Sequence, residues 1–131
     1  MIVVDSNIII YVHVHSEWTE QALRVLRRDP VWVAPPLWQS EFRNVLGGYR
    51  RRRILELDEA KLVMRSALQT MEGREILPPS DRILDLVAAS DCSAYDCEYV
   101  ALAKHLDVKL VTGDKHILRN FPETAIELGT C

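Results

Sequence analysis

The chain has 131 residues, 48% of them hydrophobic and 27% charged, which is one domain's length with enough apolar surface to close a core and too little bias for a disordered or membrane class. Its net charge of -3 excludes a globally basic nucleic-acid binder, so any hold on a polyanion has to come from a local patch or from bound cations. Cys92, Cys97 and Cys131 are odd in number and lack metal-type spacing, the usage of reduced thiols in a cytoplasmic protein rather than of a disulfide framework. The opening run Ile2 to Val14 is apolar, but Asp5 interrupts it and neither a basic segment nor a small-residue cleavage site flanks it, so export is not expected.

In chain order, strands are expected at Ile2 to Val4, Val31 to Ala34, Leu110 to Thr112 and Ala125 to Glu127. Helices are expected at roughly Ser16 to Arg28, Pro36 to Arg52, Asp58 to Met71, Ser80 to Ala89, Ala94 to Leu106 and, briefly, after Asp114. No helix is assigned before Ser16, and His13 and His15 are placed on an extended segment, without the matching Cys or His cluster that zinc needs. The runs Ile2-Val3-Val4 and Leu110-Val111 are continuous rather than alternating, as strands covered on both faces require. The alternation predicts a single α/β domain over 1–131, a three-layer α/β/α sandwich on a mostly parallel sheet of four or five strands. Gly47-Gly48 falls inside a helical pattern, consistent with a bend or with close packing.

Sorting the acids by their surroundings separates four from the rest. Glu56, Asp58, Glu59, Glu72 and Glu75 lie in mixed polar stretches and read as solvated surface. Asp5 and Asp114, by contrast, follow apolar strands at their carboxyl ends, where open α/β sheets bind ligands. Glu41 shares a helical stripe with Leu37, Trp38, Val45 and Leu46, and Asp96 heads one through Val100, Ala103 and Leu106. A buried carboxylate costs several kcal/mol unless it is paired or metal-bound, and no buried Lys or Arg is evident nearby. Each acid also has a purely local alternative. Asp5 suits an Asx-type turn, Asp114 a helix cap, Asp96 the capping box Ser93-Ala94-Tyr95-Asp96, and Glu41 an ion pair with Arg43 or Arg24.

The same residues carry a family resemblance. Ile2-Val3-Val4-Asp5-Ser6-Asn7, Ser40-Glu41 with Asn44-Val45-Leu46, Tyr95-Asp96 with Tyr99-Val100-Ala101-Leu102-Ala103, and Leu110-Val111-Thr112-Gly113-Asp114 with Ile117-Leu118 resemble, in order, the four motifs of PIN-domain nucleases. The compact size is most similar to the VapC-type toxin ribonucleases of toxin–antitoxin pairs. This resemblance implies magnesium or manganese dependence, cleavage of RNA, a homodimer, and a small antitoxin whose tail enters the acidic groove. It makes Asp5, Glu41, Asp96 and Asp114 the metal and catalytic residues; Ser6, Asn7 and Thr112 are neutral hydrogen-bonders beside them, suited to orienting carboxylates or water, with local turn hydrogen bonding as their alternative. Some members carry a further acid one turn after the position of Asp96, where this chain has Val100, so a second ion has one ligand fewer. Arg50-Arg51-Arg52-Arg53 is the expected RNA contact, with a solvated basic helix end as its alternative. Trp18, Trp32 and Trp38 are assigned to core or partner packing rather than to the site. Two other functions remain open: a PIN-like binding module without catalysis and, less favoured, a receiver-type signalling domain.

Overall fold

The structure, a computed structural model, describes residues 1–131. Four strands, β1 (Ile2–Val4), β2 (Trp32–Val33), β3 (Leu110–Thr112) and β4 (Ala125–Glu127), form one all-parallel sheet in the order β2-β1-β3-β4. Parallel neighbours need crossover helices, and the chain supplies seven. They are α1 (Ser6–His13), α2 (Thr19–Arg28), α3 (Leu37–Arg51), α4 (Leu57–Thr70), α5 (Ser80–Ala88), α6 (Ala94–Leu106) and α7 (Lys115–Asn120). One helical layer has α6 on β1 and β3 with α5 against it; the other has α1 on β3, gathering α2, α3 and α4 around itself. The predicted sandwich is therefore present. Its core holds Val3, Val4, Ile8, Ile9, Trp32, Trp38, Phe42, Tyr99, Leu102 and Leu110, all at most 1% exposed.

Most boundaries match the sequence pattern within a residue or two. The exception is α1, where Ile8-Ile9-Ile10 reads locally as strand because β-branched residues are stiff and only moderate helix formers. Burial overrides that preference: Ile8, Ile9 and Ile10 all enter the core, and Asp5 caps the helix start. His13 is thus the last residue of a helix, not part of an extended segment, and its ring meets the edge of Phe42. The residues Ser16 to Trp18 form a turn ahead of α2 rather than its first turn. Helix α3 runs unbroken through Gly47-Gly48, and a side-chain carbon at either would meet only arginine guanidinium nitrogens, at 3.7–3.9 Å, so close packing does not require glycine there.

The strand order fixes where a ligand site can form. From β1 the chain leaves toward β2 on one side, whereas β3 leads to β4 on the other, so their connections diverge and a crevice opens between β1 and β3. The register sets Val4 beside Val111, which brings the next residues, Asp5 and Thr112, together at its floor.

Candidate active site

Asp5 lies at that floor, 6% exposed, and both of its oxygens are held. Oδ1 accepts from the Ser6 backbone N–H at 2.7 Å and the Ser6 hydroxyl at 3.4 Å; Oδ2 accepts from Thr112 Oγ1 at 2.7 Å and Asn7 Nδ2 at 3.5 Å. Thr112 Oγ1 in turn accepts from the Asp114 N–H at 2.9 Å, so one buried hydroxyl fixes both the first acid and the loop of the last. Asp114 Oδ1 caps α7 through the N–H groups of His116 and Ile117, at 2.8 and 3.3 Å, leaving Oδ2 free of protein partners. The turn and cap alternatives for Asp5 and Asp114 are thus real; Asp114 keeps one oxygen without a protein partner, and two of the four hydrogen bonds to Asp5 are long, at 3.4 and 3.5 Å.

Glu41, in the second turn of α3, is half-buried and pairs with no arginine; Arg43 instead reaches Gln39 and Ser40. Its Oε1 accepts a short hydrogen bond from the phenol of Tyr99, a residue 1% exposed on α6. Asp96, on the first turn of α6, has its N–H accepted by Ser93 Oγ at 3.1 Å, half of the expected capping box. Glu41 and Asp96 line one open groove of about 360 Å³ with Ser40, Asn44, Ser93 and Tyr95. Val100 is fully buried and cannot contribute a ligand.

Electrostatics join the four acids. Burial above all, with the charges of Glu41 and Asp114, raises Asp5 to about 6 against the hydrogen bonds from Thr112 and Ser6, which pull it down. Burial and then the charge of Asp114 raise Asp96, against the Ser93 hydrogen bonds and the nearby His116. The ion pairs of the structure are Met1 with Asp29 and Lys115 with Glu127, so no cation compensates the pocket. No three His, Cys, Asp or Glu side chains close on one point tightly enough to hold an ion alone. The donors present are carboxylate oxygens, the chemistry of hard divalent ions rather than of zinc, which favours nitrogen and sulfur.

Several other residues complete the description. Tyr99, the donor to Glu41, was hidden in a run that reads as core, and only its phenol among Val100, Ala101 and Leu102 signals a polar task. Glu98 is half-buried and raised by burial and by Glu41, a fifth acid near the groove. His116 is half-buried, with Nε2 3.0 Å from the Asp91 carbonyl oxygen. Arg50, Arg51, Arg52 and Arg53 are exposed at the far end of α3, ~14 Å along the axis from Glu41. They do not join the acids. Trp32 and Trp38 are core residues, whereas Trp18 is 42% exposed.

Comparison with known proteins agrees with this geometry. The family model described as the PIN domain matches residues 2–123. Ribonuclease VapC3 of Pyrobaculum aerophilum is 28% identical over 124 residues, spanning 92% of this chain and 95% of that protein. Among solved structures, PAE2754 from Pyrobaculum aerophilum superposes with a TM-score of 0.74 at 21% identity, covering 98% of this chain and 91% of its own. FitAcB from Neisseria gonorrhoeae superposes with a TM-score of 0.76 at 15% identity, covering 100% of both chains. With Asp5 and Asp114 at the carboxyl ends of β1 and β3 and a family match across almost its whole length, the chain belongs to the PIN-domain family.

Proposed function

We propose that the protein is a divalent-metal-dependent endoribonuclease, the toxin of a toxin–antitoxin pair, working as a cytoplasmic homodimer and inhibited by a cognate antitoxin. The observation that carries the chemistry is the buried, uncompensated Asp5, with Glu41 and Asp114 close enough to raise its pKa. Such a pocket is poised for a cation. RNA as substrate and the antitoxin are supported by the likeness to Ribonuclease VapC3. No helix is long and apolar enough to cross a membrane.

Asp5 and Asp96 would hold a magnesium or manganese ion, with Glu41 and Asp114 binding its waters. When bound, such an ion neutralises charge on the scissile phosphate and acidifies a water. The protein's own residues do the positioning. Ser6 and Thr112 hold the two Asp5 oxygens, and Tyr99 holds Glu41 Oε1, leaving Oε2 to take the proton of a water attacking phosphorus. With a pKa of about 6, Asp5 is mostly ionised at neutral pH, as a ligand must be.

The test is incubation of the purified, antitoxin-free protein with mixed RNA in magnesium, in manganese and in chelator. Cleavage in either metal that chelator abolishes is the expected result. Cleavage that persists in chelator, or none in any metal, would overturn the proposal, the latter in favour of a PIN-like binding module.

A further inference from the structure

Beside the acidic crevice lies a recess of about 160 Å³ that the proposed chemistry does not use, room for about five waters. Tyr11, Trp18, Gly113, Lys115, Glu127 and Leu128 line it. Its position follows from two short connections. Gly113 stands between Thr112, which holds Asp5, and Asp114; a side-chain carbon there would meet Tyr11 Oη at 3.7 Å and Asn7 Nδ2 at 3.9 Å. Asn7 and Tyr11 are one turn apart on α1 and share a face, so that face leads from Asp5 directly into the recess.

The far wall is an aromatic pair. Tyr11 and Trp18 have ring centroids 6.2 Å apart at 34°, and Trp18 is the one tryptophan with an exposed ring. The turn that presents it is pinned. Ser16 N–H donates to Thr19 Oγ1 at 2.9 Å, Trp18 N–H donates to Ser16 Oγ at 3.2 Å, and Thr19 Oγ1 donates to the Val14 carbonyl at 3.4 Å. A tryptophan on a fixed turn has little backbone freedom left to surrender on stacking. Opposite it, Lys115 and Glu127 form an exposed pair at 3.5 Å, the kind that contributes little and opens readily.

We propose that this recess is a nucleobase subsite: a base one or two nucleotides from the scissile phosphate stacks on Trp18 and Tyr11, and Glu127 accepts a hydrogen bond from its exocyclic amino group. The subsite rests on the ribonuclease reading and deepens it. Flat aromatic faces hold single-stranded bases by stacking whatever the sequence, and the carboxylate adds a preference for adenine, cytosine or guanine over uracil. Lys115, released from Glu127, meets the adjoining phosphate.

Because Trp32 and Trp38 are fully buried, quenching of tryptophan fluorescence by an added oligonucleotide reports chiefly on Trp18. Pentanucleotides of adenosine, cytidine or uridine are titrated into the Asp96→Asn variant in magnesium, and into the unaltered protein in chelator. Expected are strong quenching by the adenosine and cytidine oligomers, weaker quenching by uridine, and binding, followed for the Trp18 variants by the anisotropy of end-labelled oligomers, that falls roughly ten- to a hundredfold in Trp18→Ala but only a few-fold in Trp18→Phe. Glu127→Gln should erase the discrimination against uridine while leaving stacking intact. Unchanged oligonucleotide affinity in a folded Trp18→Ala protein, or loss of its dimer with RNA binding intact, overturns the subsite. The two readings fail differently. An active protein whose Trp18→Ala variant keeps its KM loses the subsite alone, whereas a protein that neither cleaves nor binds any RNA loses both.

Discussion

Replacing Asp5 by asparagine removes a charge that the fold pays to bury. In the folded protein the Asp5 carboxyl titrates at about 6, against 3.8 when unfolded, so the native state binds its proton more tightly. Between those values stability therefore rises as pH falls, and above pH 6 the ionised group costs the native state up to about 3 kcal/mol. Asparagine keeps an oxygen for the Ser6 N–H, and the Thr112 hydroxyl can turn to accept from the new amide; each weakened hydrogen bond costs about 1 kcal/mol. In chelator at pH 7.5, Asp5→Asn is thus expected to be between equally stable and about 2 kcal/mol more stable than the unaltered protein, with a flatter pH dependence between 4 and 7. Magnesium should reverse the order: only the unaltered protein gains, by about 2.7 kcal/mol at a hundredfold excess over Kd. Urea unfolding followed by circular dichroism, with and without metal, measures all three quantities. A variant more than about 1 kcal/mol less stable in chelator at pH 7.5, or one with an unaltered pH dependence, would refute the reasoning.

Other substitutions probe the remaining parts. Asp96→Asn should abolish cleavage yet leave the metal-free thermal midpoint equal or higher, because its pKa is raised by burial and by Asp114; a large stability loss would assign it to capping alone. Tyr99→Phe leaves Glu41 Oε1 without its buried donor and should cost roughly 1–3 kcal/mol in urea unfolding, with kcat falling more than KM rises. Replacing Arg50, Arg51, Arg52 and Arg53 by glutamine should raise KM and flatten its salt dependence with kcat unchanged, as expected for phosphate contacts remote from the acids. An unchanged salt slope would assign them to a solvated helix end.

The sequence was most legible where one residue's environment is set by its immediate neighbours. Strand-end acids after Val4 and Thr112, the stripe through Trp38 and Leu46, and the Ser93 start of α6 all depend on local pattern, and the structure has them as expected. Helix α1 was missed because Ile8-Ile9-Ile10 satisfies a strand locally and a helix only once the core is built around it. Tyr99 was missed because its partner is 58 residues away, a distance no spacing rule crosses. Trp18 could not be told from Trp32 and Trp38 by composition; only the turn made by Ser16 and Thr19 sets it outside the core.

Asp5 and Asp114 cap helices, and Asp96 lies in the first turn of a third, so the three carboxylates sit where α1, α6 and α7 begin. Helix starts carry partial positive charge on their unpaired N–H groups. The backbone therefore supplies fractional counter-charge to acids that have no lysine or arginine beside them. A pocket softened in this way can stay folded while empty, so the proposed ion would be exchangeable rather than structural, free to come and go without the domain unfolding around its absence.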